Sequence, residues 1–172
     1  YCPPAKGSAA PLPGMALQGT NDIQFHALDR LVRDGALPSP DVIELDIPGC
    51  GAEALKGASW ALRRSVCAVI LRECHGQLYQ GGSTFADADA LLRDRGFTLF
   101  RLTSSKAPGG ALLFAKALYL KADGDERRGL PNPGLRLRRG IVASLLGEDG
   151  EAQRLLGAAR GEWASSKVRG AI

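Results

Sequence analysis

Histidine and paired cysteines are scarce in this chain. Two histidines and four cysteines occur in 172 residues, and no two cysteines stand as Cys-x-x-Cys. No zinc spacing can be assembled from that set, so we expect no metal site. Long apolar runs are also missing. The most apolar window, residues 110–120, is too short to cross a bilayer and contains Lys116. The opening residues, Tyr1-Cys-Pro-Pro-Ala-Lys, have no apolar segment of the kind a signal peptide needs. The composition thus reads as soluble, with no membrane partner and no indication of compartment. The start at Tyr1 rather than Met points to an incomplete piece of a longer protein.

What is present suits one globular domain. Hydrophobic residues make up 45% and charged residues 23% of the chain, ordinary values for a soluble fold with a real core. The net charge is +4 but uneven: from Arg127 onward nine Lys/Arg face four Asp/Glu. That basic tail is the one hint of an anionic partner. Its dipeptides Arg127-Arg128 and Arg138-Arg139 lack interleaved aromatics, which argues against a nucleic-acid strip and for a solvated helical face or disordered extension. Cys67 lies in an apolar strand and reads as a small core residue. Cys50 and Cys74 fall at strand ends on one side of the sheet, leaving two readings open: thiols in a reducing compartment, or a disulfide between them.

The pattern along the chain divides it in three. Residues 1–21, rich in Pro, Gly, Ala and Ser, form an irregular or disordered lead-in. Residues 22–121 carry alternating strand and helix signals, and 122–172 form a basic, helical tail. Asp22–Leu28 alternates apolar and polar residues and reads as a short strand; a helix over 30–34 closes at Gly35. Val42–Ile47 is an apolar run ending in Asp46 and a Pro-Gly-Cys-Gly turn, the pattern of a buried parallel strand feeding a helix. A single helix over 52–64 follows, with Leu55, Ala58 and Leu62 on its apolar face. Val66–Leu71 is the next strand, buried on both faces. A glycine-rich loop over 76–82 leads to a capping-box start at Thr84 and a helix that stops at Gly96. Strands over 97–102 and 111–118, with no helix between them, form an antiparallel hairpin. The order is β-α-β-α-β-β, an α/β fold with right-handed crossovers and a reversed last strand. In such sheets ligands gather at the carboxyl ends of strands, where Asp46 stands.

At these residues the chain resembles the C-terminal half of an FkbM-type, S-adenosylmethionine-dependent methyltransferase domain. The family has a Leu-Asp pair, met by Leu28-Asp29, before a strand reading Lys-Ile-Asp-Val-x-Gly-Ala-Glu and then x-x-x-Leu-x-Gly. Glu44-Leu-Asp-Ile-Pro-Gly-Cys-Gly51 and Leu55-Lys-Gly57 fall in the same register. Leu78-Tyr-Gln-Gly81, Phe85, Ala90-Leu-Leu-Arg-Asp-Arg-Gly-Phe97 and Leu112-Leu-Phe114 match the later motifs. The resemblance implies a partial class I, Rossmann-like sheet holding strands four to seven, the last antiparallel. It also implies S-adenosylmethionine as cofactor and a small-molecule or sugar hydroxyl as methyl acceptor.

The departures carry information too. Upstream of Asp22 there is no strand–Gly-x-Gly–helix unit, since Gly7 and Gly14 lie among prolines. The glycine-rich cofactor loop is therefore absent, and the strand at Val42 is expected to lack a neighbour, an exposed edge prone to self-association. The family Lys before Asp46 is Glu44, the family Glu at position 51 is Gly51, and the Glu ending the next strand is Arg72, with Glu73 beside it. A one-residue slip would restore that acid but reverse its side of the strand.

The candidate site residues follow. Asp46 is a catalytic or cofactor-binding group, or alternatively a cap for the next turn and helix. Gly49 is a backbone contact for the cofactor. His75 is a general base or a solvated loop residue. Arg72, Glu73 and Tyr79 line the substrate pocket, Tyr79 alternatively packing against Phe85. Glu44 and Glu53 read as solvent-facing, Trp60 and Trp163 as packing residues. The competing reading is a non-catalytic remnant or interaction module built on the half-sheet.

Overall fold

The structure, a computed structural model, describes residues 24–106, 110–122 and 133–169, except the side chains of Pro133 and 162–169. The lead-in over 1–21, Arg127-Arg128 and the side chain of Trp163 lie outside the described residues. It is a mixed α/β fold. Helix α1 (Leu28–Arg33) precedes β1 (Val42–Asp46), α2 (Gly51–Lys56), α3 (Ser59–Arg64) and β2 (Ala68–Cys74). Then follow α4 (Phe85–Asp94), β3 (Phe97–Lys106), β4 (Leu112–Lys121), α5 (Pro133–Leu145) and α6 (Asp149–Arg169). No helix among the described residues is long and apolar enough to cross a membrane.

The four strands form one sheet in the order β1-β2-β4-β3. β1 runs parallel to β2, and β4 returns antiparallel between β2 and β3. The expected hairpin is thus formed, with its second strand in the interior of the sheet. The outer edge of β1 pairs with no strand among the described residues.

Alternation on β2 sends Val69, Leu71 and Glu73 to one face and Ala68, Ile70 and Arg72 to the other. On the first face Val69 and Leu71 join Leu55, Ala58, Leu62, Ala88, Leu92 and Tyr119 in the main core. The helical face foreseen at Leu55, Ala58 and Leu62 is therefore the buried one. α4 is held over this core at both ends. Thr84 and Asp87 form a reciprocal capping box at its start, and Gly96, at φ +77°, ends it. Midway, the hydroxyl of the buried Tyr119 donates to Asp89 at 2.7 Å.

Two local expectations are corrected. Residues 24–27 are irregular, and Leu28 already begins α1, because the Ala27 carbonyl accepts from the amides of Arg30 and Leu31. Phe25, an apolar member of the supposed strand, is 87% exposed. The helix over 52–64 is two helices. Asp29 takes the amides of Trp60 at 2.7 Å and Ala61 at 3.0 Å, capping α3 from a distant part of the chain, while the Gly57 carbonyl turns to the Asp29 amide. Of the two cysteine readings, the one as thiols holds: Cys50 is an exposed thiol and Cys74 a buried one.

The described tail is helical and packs one face on the sheet. α5 and α6 lie on the second face, where Val142, Ala143 and Ala152 cover Cys67, Ala68, Leu118 and Leu120. Gly140 lets α6 approach, since a Cβ there would meet Leu156 at 2.8 Å. Arg138 pairs with Asp41, and the buried Arg139 donates to the Lys121 carbonyl. The second arginine dipeptide thus anchors the tail to the sheet.

Candidate cleft at the carboxyl edge of the sheet

The carboxyl ends of β1 and β2 are adjacent, with Asp46 opposite Arg72. Both side chains point to the second face, beyond the cover of α5 and α6. Arg72 binds Asp46 at 3.0 Å, and its guanidinium lies 4.7 Å from the centre of the Phe114 ring. The pair is exposed, 43% for Arg72 and 61% for Asp46. It is worth at most about 1 kcal/mol to folding, which leaves Asp46 accessible to a ligand. Asp46 makes no cap to the following helix; its partner is Arg72. One rung further on, Arg72 faces Lys116 on β4. Beside this rung lies a groove of about 280 Å3, floored by Ile70 and Leu118 and edged by Arg101, Thr103 and Lys116.

The acid that the strand-end register seemed to replace with Arg72 is present as Glu73, on the opposite face. Alternation carries Glu73 beneath the loop after β1, where it is fully buried. One oxygen accepts from the amides of Gly49 and Cys74, the latter at 2.9 Å. The other accepts from the Gly51 amide at 2.9 Å and the Ser83 hydroxyl at 3.2 Å. Glu73 is therefore committed to the loop and lines no open pocket.

The loop itself is a type II turn in outline. The Cys50 amide donates to the Ile47 carbonyl at 3.0 Å, Pro48 takes the first corner and Gly49 the second at φ +88°. A Cβ on Gly49 would strike the Tyr79 ring at 2.6 Å. Tyr79 thus packs on this glycine, and the ring partner of Phe85 is His75, at 5.5 Å between centres. The Gly49 amide is held by Glu73, and its carbonyl accepts from the Ser83 amide at 2.8 Å. Gly51 stands where the resemblance led to a glutamate. A Cβ there would lie 2.5 Å from the Glu73 carboxylate, so any side chain at this position must displace it.

His75 ends the edge on the other side. Its Nε2 lies 3.2 Å from the Ser104 hydroxyl on β3, and its side chain does not reach Asp46 in a hydrogen bond. Neighbouring Cys74 is no nucleophile: burial, reinforced by the Glu73 carboxylate, pushes its thiol up to about 11. Ser83 escaped the sequence reading, and Glu73 was placed there in the substrate pocket rather than beneath the loop. Ser83 was hidden in a glycine-rich loop with no period. Glu73 had a usable signal, because Val69, Leu71 and residue 73 share one face by simple alternation.

The family profile described as the methyltransferase FkbM domain matches residues 8–99. The match takes in α1, β1, the turn at Gly49 and β2 with Glu73, and stops on β3 before β4 and the tail. No curated protein and no solved structure matches the chain. With more than half of its length matched, the chain belongs to the FkbM methyltransferase family.

Proposed function

We propose that this chain belongs to an S-adenosylmethionine-dependent O-methyltransferase acting on a small-molecule or sugar hydroxyl. The family match over residues 8–99 carries this reading. The sheet order supports it: β1, β2, β4 and β3 have the sequence and directions of the fourth, fifth, seventh and sixth strands of a class I sheet. In that arrangement the ends of β1 and β2 form one wall of the cleft.

The residues on that wall fit the cofactor in part. Asp46 is exposed and uses one oxygen on Arg72, so the other can accept from an amine or hydroxyl of the cofactor. Gly49 cannot contribute its amide, which Glu73 holds. S-adenosylmethionine, when bound, supplies a sulfonium methyl group. The chain's own work is to align the acceptor hydroxyl and receive its proton. His75 is our candidate for the proton, at Nε2, with Ser104 orienting the ring. Arg72 and Tyr79 border the acceptor. Because no strand–Gly-x-Gly–helix pattern is read in the sequence ahead of β1, we propose that these 172 residues alone bind the cofactor weakly or not at all.

A second reading, a non-catalytic interaction module using the open edge of β1, draws on one observation: Arg72 already neutralises Asp46. Transfer of labelled methyl groups from S-adenosylmethionine to a panel of hydroxyl acceptors, by a chain extended to include a glycine-rich cofactor unit, tests the choice. Transfer that falls on Asp46→Asn and His75→Gln supports the enzyme. No transfer to any acceptor, with the extended chain folded, refutes it. Tight cofactor binding by the 172 residues in calorimetry would overturn the division of the cleft.

A further inference from the structure

We infer that Glu73 is the positioning residue that joins the two carboxyl-edge loops, residues 47–51 and 76–83, into one body, and so sets where Asp46 and Tyr79 stand in the cleft. What the cleft binds rests on the function proposed above; the geometry of the joint does not.

The chemistry of the joint selects a carboxylate. Four groups converge on Glu73, and all four donate: the amides of Gly49, Gly51 and Cys74 and the hydroxyl of Ser83. Only an acceptor-only side chain of this length satisfies them all. A glutamine would turn an NH2 toward a donor and leave at least one buried group unpaired, the costly case. Burying a carboxylate is itself expensive, and among the described residues no Lys or Arg side chain bonds to it. The donors are its compensation, so the loops cannot relax without exposing that cost.

The joint also has a second member. Ser83 donates to Glu73 while its oxygen accepts from the Ala52 amide at 3.2 Å, and its own amide binds the Gly49 carbonyl at 2.8 Å. The later loop is thereby tied to the start of α2 and to the turn at Gly49. Close approach is built in at three glycines: a side chain on Gly49 would meet Tyr79, one on Gly51 would meet Glu73, and one on Gly82 would lie 3.0 Å from the Gly49 carbonyl. With Gly49 and Gly51 drawn inward, Asp46 is left facing outward and the Tyr79 ring is pressed over the turn.

Amide hydrogen exchange on the 172-residue chain tests this without any cofactor. Glu73→Gln should speed exchange at Gly49 and Gly51 at least tenfold while Val69 and Tyr119 keep their protection. Ser83→Ala should do the same at Ala52. In Glu73→Ala, acetate should restore protection at Gly49 and Gly51, and chloride at equal ionic strength should not. Rescue by a carboxylate is a signature that a space-filling role would not give. Unchanged exchange at Gly49 and Gly51 in Glu73→Gln overturns the inference, as does loss of their protection only together with that of Val69 and Tyr119. If Glu73→Ala does not fold, Glu73→Gln decides alone. Failure of methyl transfer with these exchange results intact would sink the proposed activity and leave the joint standing.

Discussion

Replacing Asp29 tests how a residue 17 positions before the candidate cleft shapes it. Its carboxylate takes the amides of the second and third residues of α3, Trp60 at 2.7 Å and Ala61 at 3.0 Å, although α3 has no side-chain cap of its own. A local N-cap is worth about 0.5–2 kcal/mol. This one makes two bonds from a carboxylate, and hydrogen bonds to charged groups run at about 1.5–3 kcal/mol. Partial exposure trims that figure, so Asp29→Ala should cost about 1.5–3 kcal/mol. For a chain of this size each kcal/mol moves Tm by about 2–4 °C, giving a fall of about 3–12 °C. Asp29→Asn keeps one carbonyl acceptor and should lose about half as much. Thermal and urea unfolding followed by circular dichroism read the cost, and exchange at Trp60 and Ala61 reads its location. The reasoning fails if Asp29→Ala lies within about 0.5 kcal/mol of the parent, or if Asn and Ala cost the same. A further consequence is that the break at Gly57 should heal: without the cap, α2 and α3 are free to join into the single helix that the apolar period alone suggests.

Three further substitutions or probes follow from contacts in the structure. Tyr119→Phe deletes a buried donor and should cost about 1–2 kcal/mol in urea unfolding. Burial works to raise Asp89, but hydrogen bonds from Arg93 and Tyr119 outweigh it and hold the carboxyl below its usual value. A depressed folded value stabilises above the unfolded one, near about 4, so the Tyr119→Phe penalty should be full at neutral pH and shrink as pH falls below that; a penalty that grows in acid refutes the contact. Gly51→Ala should cost about 1–3 kcal/mol by driving a Cβ into the Glu73 carboxylate, and a neutral result would mean that Glu73 is not beneath the turn. Alkylation of the native chain at pH 8 should spare Cys67 and Cys74, both buried with raised thiols. Labelling of Cys74 in peptide maps at the rate of the unfolded chain would contradict that burial.

Local signals were legible in the sequence where local physics decides the structure. The apolar run before Asp46, the Thr84–Asp87 box and the stop at Gly96 are set by neighbours a few residues away, and each stands where the pattern put it. The break between α2 and α3 was not legible, because its cause is Asp29, more than two turns of helix and a strand away. The place of β4 inside the sheet was equally hidden, since adjacency of two strands says nothing about which of them meets β2. In the tail, charge counting misled: Arg138 and Arg139 look like a surface patch until Asp41 and the Lys121 carbonyl are brought to them.

The cleft shows the same division at the level of single residues. Read along the strand, Arg72 and Glu73 look like one acid exchanged for a base with a spare acid beside it. Read across the pleat, they belong to opposite faces and do different work. Arg72 meets Asp46 in solvent, where the interaction is weak and a competing ligand can displace it. Glu73 meets four donors out of solvent, where the interaction is strong and nothing from outside can reach it. Chemistry offered to a ligand therefore sits on the Asp46 side, and the geometry that presents it sits on the Glu73 side. A substitution on the first side should change what binds and leave the fold alone, whereas one on the second should change the shape of the edge before it changes any affinity.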